Sequence, residues 1–223
     1  RFSWRQSGVP ATKLDTYERD AGRLIALFRT LGAEMGHQPP LLRRALTLTK
    51  ASSYEDAVAA GERFAEEFGL GDVPARRLAE VMERDLGILV LMVDAVPGVS
   101  GAACHLPELD AVLINRREVP GRRHYDLAHE LFHILTWEAM PPERLEDFAA
   151  PPRGRVEQLA DNFAAAVLMP RAALDRLGPW DGLEGNALAA RLNAAAEELG
   201  VTSSALRWRL VGAGLLPKAV AQG

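Results

Sequence analysis

Residues 129–133 read His129-Glu130-Leu131-Phe132-His133, an HExxH segment, and no other feature narrows the fold as much. On a helix, residues four apart share a face, so both imidazoles can reach one metal ion. Glu130 then projects beside that ion, where it can take a proton from water. Leu127, Leu131, Ile134 and Leu135 supply an apolar face. The segment therefore reads as a largely buried helix with its polar groups gathered on one side. The plain alternative is an amphipathic helix with two ordinary histidines.

A catalytic zinc needs a third protein ligand and an open position. The predicted helix at 154–168 carries Glu157 and, one turn later, Asp161, so both carboxylates face the same way. This pattern suits Glu157 as the third ligand and Asp161 as the acceptor that holds an imidazole N–H. The competing reading of Glu157 is an exposed acid favoured by the positive end of its helix. Glu138, Glu143, Glu146 and Asp147 are further acidic candidates. Glu138 follows His133 too closely to fold back on the same ion from a continuing helix. The other three lie in a Pro-flanked loop.

The rest of the chain gives this helix its setting. Leu14, Leu24, Ile25, Leu27, Phe28 and Leu31 form an apolar stripe that predicts a helix over 13–35. Gly36 and Pro39-Pro40 break it, and 38–53 is the expected joint. Ser53 followed by Asp56 is a near-capping box that opens a helix to Phe68. Another helix is expected over 74–85. The continuous apolar run 87–93 then reads as a buried strand, followed by strands at 99–104 and 111–115. Hairpin spacing suggests a small antiparallel sheet of three strands. Helices are expected at 119–138, 154–168, 171–177, 184–199 and 202–212, so the class is α+β.

Composition excludes several other classes. With 48% hydrophobic and 25% charged residues over 223 positions, the chain is neither disordered, collagenous nor a coiled coil. A net charge of −4 gives no general argument for nucleic-acid binding. Residues 1–50 carry nine Lys/Arg and four acids, a basic arm on an acidic body. No window approaches a membrane-spanning length of apolar residues. The start lacks the apolar core of a signal peptide, and the single cysteine, Cys104, favours a reducing compartment. The expected location is cytoplasmic.

Taken together, Asp126 to Leu135, then Glu157 to Ala165 and Leu168-Met169-Pro170, resemble the ImmA/IrrE metallopeptidase family. Leu113-Ile114-Asn115 before the helix is similar to that family's short strand element. The resemblance covers about 70–177 and, more loosely, the helical tail. It implies a zincin-like fold with a small sheet over the HExxH helix. It implies His129, His133 and Glu157 as ligands of Zn2+ (or another divalent ion such as Mn2+) and Glu130 as the general base. It further implies site-specific cleavage of helix-turn-helix repressors in a stress or mobile-element response. On this reading the chain divides into an N-terminal helical arm or linker (1–50), a metallopeptidase domain (51–178) and a helix-turn-helix-like tail (179–223). Some members fuse the peptidase behind a DNA-binding domain, and the segment from Phe2 to Arg29 looks like such a connection. DNA contact would then belong to a missing or appended domain. Two positions depart from the family's usual pattern: Phe132 stands where a small residue is common, and Asp126 where Thr is.

Three further residues are candidates for the site. Tyr125 and His124 precede the ligands and could donate to an oxyanion, although the favoured reading of both is structural, since His124 is five residues from His129 and points off its face. Cys104, at the end of a predicted strand, could reach the metal as an inhibitory thiolate. Residues 184–212 also resemble a helix-turn-helix, but Trp208 and the acidic body weaken a DNA reading. The alternative function is a non-proteolytic, metal- or ligand-sensing module coupled to a DNA-binding domain. An intact Glu130 favours the enzyme.

Overall fold

The computed structural model describes residues 2–6, 9–36, 44–95, 98–141 and 154–222. The fold is α+β, as expected, with a small and mainly antiparallel sheet among helices. The sheet has four strands rather than three: β1 (Phe2–Gln6), β2 (Ile88–Val93), β3 (Val99–His105) and β4 (Asp110–Asn115), in the order β1-β3-β4-β2. The fourth strand comes from the N-terminal arm, which had been expected to be helix or linker. β1 pairs antiparallel with β3, and β3 antiparallel with β4. β2 departs from the expected meander. It pairs parallel with β4, so β3 lies on the crossover between them. A strand with apolar residues on both sides fits such a place, because helices cover both faces of the sheet.

Strand alternation sorts the two faces. On one face, Ala102, Cys104, Leu89, Ala111 and Leu113 meet α1 (Ala11–Glu34) through Ala21 and Ile25. Only part of the α1 stripe is core, since Leu24, Leu27 and Leu31 stay about half exposed. On the other face, Ala103, Val112 and Ile114 join the main core with Leu127, Leu131 and Phe132. Those three belong to α4 (Pro120–Leu135), which begins with Pro120 at its first turn, where proline costs no hydrogen bond.

α5 (Arg155–Leu168) packs on α4, α2 (Tyr54–Glu67) packs on α5, and α3 (Leu78–Arg84) packs on β2. The capping box that opens α2 is complete: Asp56 N–H donates to Ser53 Oγ at 3.0 Å and Ser53 N–H to Asp56 Oδ2 at 2.8 Å. The C-terminal helices are α6 (Arg171–Leu177), α7 (Gly185–Leu199), α8 (Ser203–Gly212) and α9 (Lys218–Gln222). The turn between α7 and α8 is packed onto α4. A Cβ on Gly121 would stand 2.6 Å from the Val201 backbone, so only glycine fits there. Arg209, on the second helix of the helix-turn-helix-like tail, is buried and donates to the Met169 carbonyl at 3.1 Å. Pro39-Pro40 and most of the acidic loop fall outside the described residues. Among the described residues, no helix is long and apolar enough to cross a membrane.

Candidate metal centre

α4 buries every residue from Asp126 to Leu135, so its polar side chains are held within packed surroundings. His129 and His133 lie one turn apart, and their Nε2 atoms are 3.1 Å from each other. α5 brings Glu157 to them. Its Oε2 is 3.1 Å from His129 Nε2, and its Oε1 is 3.3 Å from His133 Nε2. A tetrahedral zinc with bonds of about 2.0–2.1 Å separates neighbouring ligand atoms by about 3.3 Å. The separation of the two imidazole nitrogens is close to that edge length, and each nitrogen meets a different oxygen of the Glu157 carboxylate at a similar distance. The two imidazoles are buried while the Glu157 side chain is 42% exposed, which leaves the cluster open to solvent on the glutamate side.

The surrounding hydrogen bonds fix the direction of these groups. His129 Nδ1 donates to Asp161 Oδ1 at 3.0 Å. That bond puts the proton on Nδ1 and leaves the Nε2 lone pair facing the Glu157 carboxylate. Lone pairs on imidazole and carboxylate converging on one point repel unless a cation or proton sits between them. The donor set therefore suits a divalent ion. Burial opposes ionisation of Glu157, but when His129 and His133 are protonated in the ion's place, their hydrogen bonds and charge outweigh it and hold the carboxyl well below its usual range. Among the described residues, this is the one cluster of His, Cys, Asp and Glu compact enough to hold a metal.

Glu130 is buried on the same helix, beneath β3. A Cβ on Gly101 would come within 3.4 Å of Glu130 Cγ and within 3.0 Å of the Leu113 carbonyl. Gly101 thus lies in contact range of the Glu130 side chain, and the Leu113 carbonyl leaves the least room for a Cβ there. The sequence reading passed over Gly101. The signal was there in Gly101-Ala102-Ala103, a run too small to be an ordinary strand core.

The other candidate residues make structural contacts. Tyr125 is close by, but its hydroxyl donates to the Asp161 carbonyl at 2.9 Å, tying α4 to α5 instead of pointing at a reacting group. His124 is turned to the tail, with Nδ1 2.7 Å from the Gly200 carbonyl. Cys104 lies on the α1 face of the sheet, packed with Ile25, Leu89 and Ala111. Strand alternation points it away from the metal cluster, and burial pushes its thiol up to about 11. Phe132 packs in the core against Phe163, with ring centroids 5.6 Å apart, and does not narrow a cleft. Asp126 is fully buried within α4 and does not cap it; Arg122 Nε approaches its Oδ2 at 3.7 Å. Glu138 is exposed beside His105, 3.7 Å away. Glu143, Glu146 and Asp147 lie outside the described residues.

Comparison with known proteins places this geometry in a family. The model of the IrrE N-terminal-like domain, Peptidase_M78, matches residues 83–210, a span that contains β2 to β4, α4 and α5. No curated protein sequence matches the chain. A solved structure of a Mycobacterium tuberculosis transcriptional regulator is similar with a TM-score of 0.51 and 22% identity. The similarity covers 76% of this chain and 49% of that one, so this chain spans about half the length of that protein.

Proposed function

Because the chain belongs to the IrrE N-terminal-like peptidase family, we propose that it is a zinc-dependent endopeptidase acting on a narrow set of protein substrates. One observation carries the reading: two imidazole nitrogens and a carboxylate converge at ligand spacing on the helix that also holds Glu130. His129, His133 and Glu157 would hold the ion, and Asp161 would orient His129. When bound, the ion would supply Lewis-acid polarisation of the scissile carbonyl and acidify the attacking water. Glu130 accepts the proton from that water and returns it to the leaving amine. Its burial raises the value of each such charge shift, because the surrounding dielectric is low.

The substrate class that suits a narrow regulatory peptidase of this family is a helix-turn-helix repressor, met in the cytoplasm during a stress or mobile-element response. The test is a survey of new protein N-termini in the native host under stress, comparing wild type with Glu130→Gln. A small set of Glu130-dependent cuts is expected. A Glu130→Gln protein that stays folded, metal-bound and biologically active would defeat the peptidase reading. A second reading then applies: a metal- or ligand-sensing regulatory module. The similarity in fold to a protein described as a transcriptional regulator favours it as the alternative.

A further inference from the structure

The sheet edge above Glu130 is covered by a piece of chain from outside the family unit. The family match begins at residue 83, and within it β3 has a partner on one side only, β4. Its other side is taken by β1, more than ninety residues earlier in the chain. The register sets Arg5 opposite Gly101, Trp4 opposite Ala102 and Phe2 opposite Cys104. Gly101 is the β3 residue that packs against Glu130, since a Cβ there would stand 3.4 Å from Glu130 Cγ. The β1 backbone therefore runs about 4.8 Å, one strand spacing, from the strand that overlies the proposed base. The other outer edge of the sheet belongs to β2, which packs over α3, remote from the metal cluster.

A peptide must be extended to present a scissile bond, and an extended peptide gains main-chain hydrogen bonds by adding to an open sheet edge. Only one strand can occupy the free side of β3. We infer that β1 is an internal competitor for the substrate: it holds the β3 edge in the resting protein, and an extended substrate segment pairs there only when β1 has left. β1 suits a reversible occupant. It is five residues long, its register slips between Arg5 and Gln6, and its pairing closes a long loop. The inference rests on the peptidase reading for the identity of the occupant, but not for the competition itself.

Two substitutions move β1 in opposite directions. Ser3→Pro with Trp4→Pro removes backbone donors from the ladder and excludes β1. Phe2→Cys sets a second thiol directly opposite Cys104, at a Cα spacing that a disulfide accepts, and oxidation then locks β1 in place. The probe is fluorescently labelled β-casein, an unfolded chain, with the zinc-loaded Glu130→Gln protein for binding and the Glu130 protein for cleavage.

Amide exchange at Val99–Cys104 should quicken in the proline variant while α4 and α5 keep their protection. Casein affinity should rise about tenfold or more, as removing a dominant closed state requires. Oxidised Phe2→Cys should lose binding, and reductant should restore it. Faster exchange without tighter binding overturns the inference, as does exchange unchanged by the prolines. If the proline variant loses its α4 and α5 protection, the lock decides alone, and equal binding in the oxidised and reduced forms overturns the competition. Tighter binding with no casein cleavage by the Glu130 protein upholds the competition, and the peptidase reading then stands or falls on the survey of new N-termini.

Discussion

The two faces of the sheet are built from the same strands and carry opposite kinds of work. On the α4 face, β3 presents Gly101 and Ala103, small enough for a helix full of polar side chains to lie close. On the α1 face it presents Ala102 and Cys104 to Ala21 and Ile25, with no charged group buried between them. The difference is one residue of register. Along a strand the side-chain period is two, so chemistry can be confined to alternate positions while the others do nothing but pack. A cysteine three residues from the glycine over Glu130 thereby faces the other side of the sheet from the metal cluster.

That contrast can be broken from either side. Glu130→Gln should have the largest effect, lowering the cleavage rate by about 10²–10⁴-fold, the usual worth of a general base, with metal content unchanged. Rate measured beside metal stoichiometry checks it; a parallel loss of metal would make Glu130 a ligand. Ile25→Ala, on the opposite face, should cost about 2–5 kcal/mol of stability by leaving a cavity, yet keep zinc affinity. Denaturant melts with a zinc titration decide it, and a drop in affinity would show that the faces are coupled.

Asp161→Ala should weaken zinc binding about 10–100-fold, because His129 loses the acceptor that orients it, with little change in melting. Competition against a chelator is the measurement. The smallest effect belongs to Cys104. With its thiol raised to about 11, folding leaves it protonated at neutral pH, whereas the unfolded chain ionises it more readily. Alkylation of the native protein at pH 8 should be slow, since only about one thiol in a thousand is ionised there, and unfolding should speed it sharply. Fast native labelling would mean that the α1 face opens.

The HExxH pair was legible because it rests on helical spacing, which is local, whereas Glu157 on a separate helix became a candidate only beside that pair and the family resemblance. The element boundaries from residue 53 onward followed for the same reason, through caps, glycines and prolines. Strand pairing was not local. The run 87–93 satisfies a parallel partner as well as an antiparallel one, and nothing near Phe2–Gln6 marks it as the mate of a strand so far along the chain. The α1 stripe overstated the core because apolar periodicity gives a face its character but not its cover. Tyr125 shows what position alone leaves open: sequence put the hydroxyl near the ligands, and packing turned it to a backbone carbonyl, in keeping with a structural role.

That last hydrogen bond has a consequence for how the ion arrives. Asp161 is gripped twice by α4, through its carbonyl by Tyr125 and through its carboxylate by His129. The two helices that supply the ligands are thus already fastened in alignment by contacts that need no ion. Small zinc modules spend their binding energy on folding and come apart when a chelator strips them. A scaffold fastened in advance spends almost none of it that way. Its uptake of metal is closer to loading a finished socket than to casting one, and a chelator should empty it while leaving the helices standing.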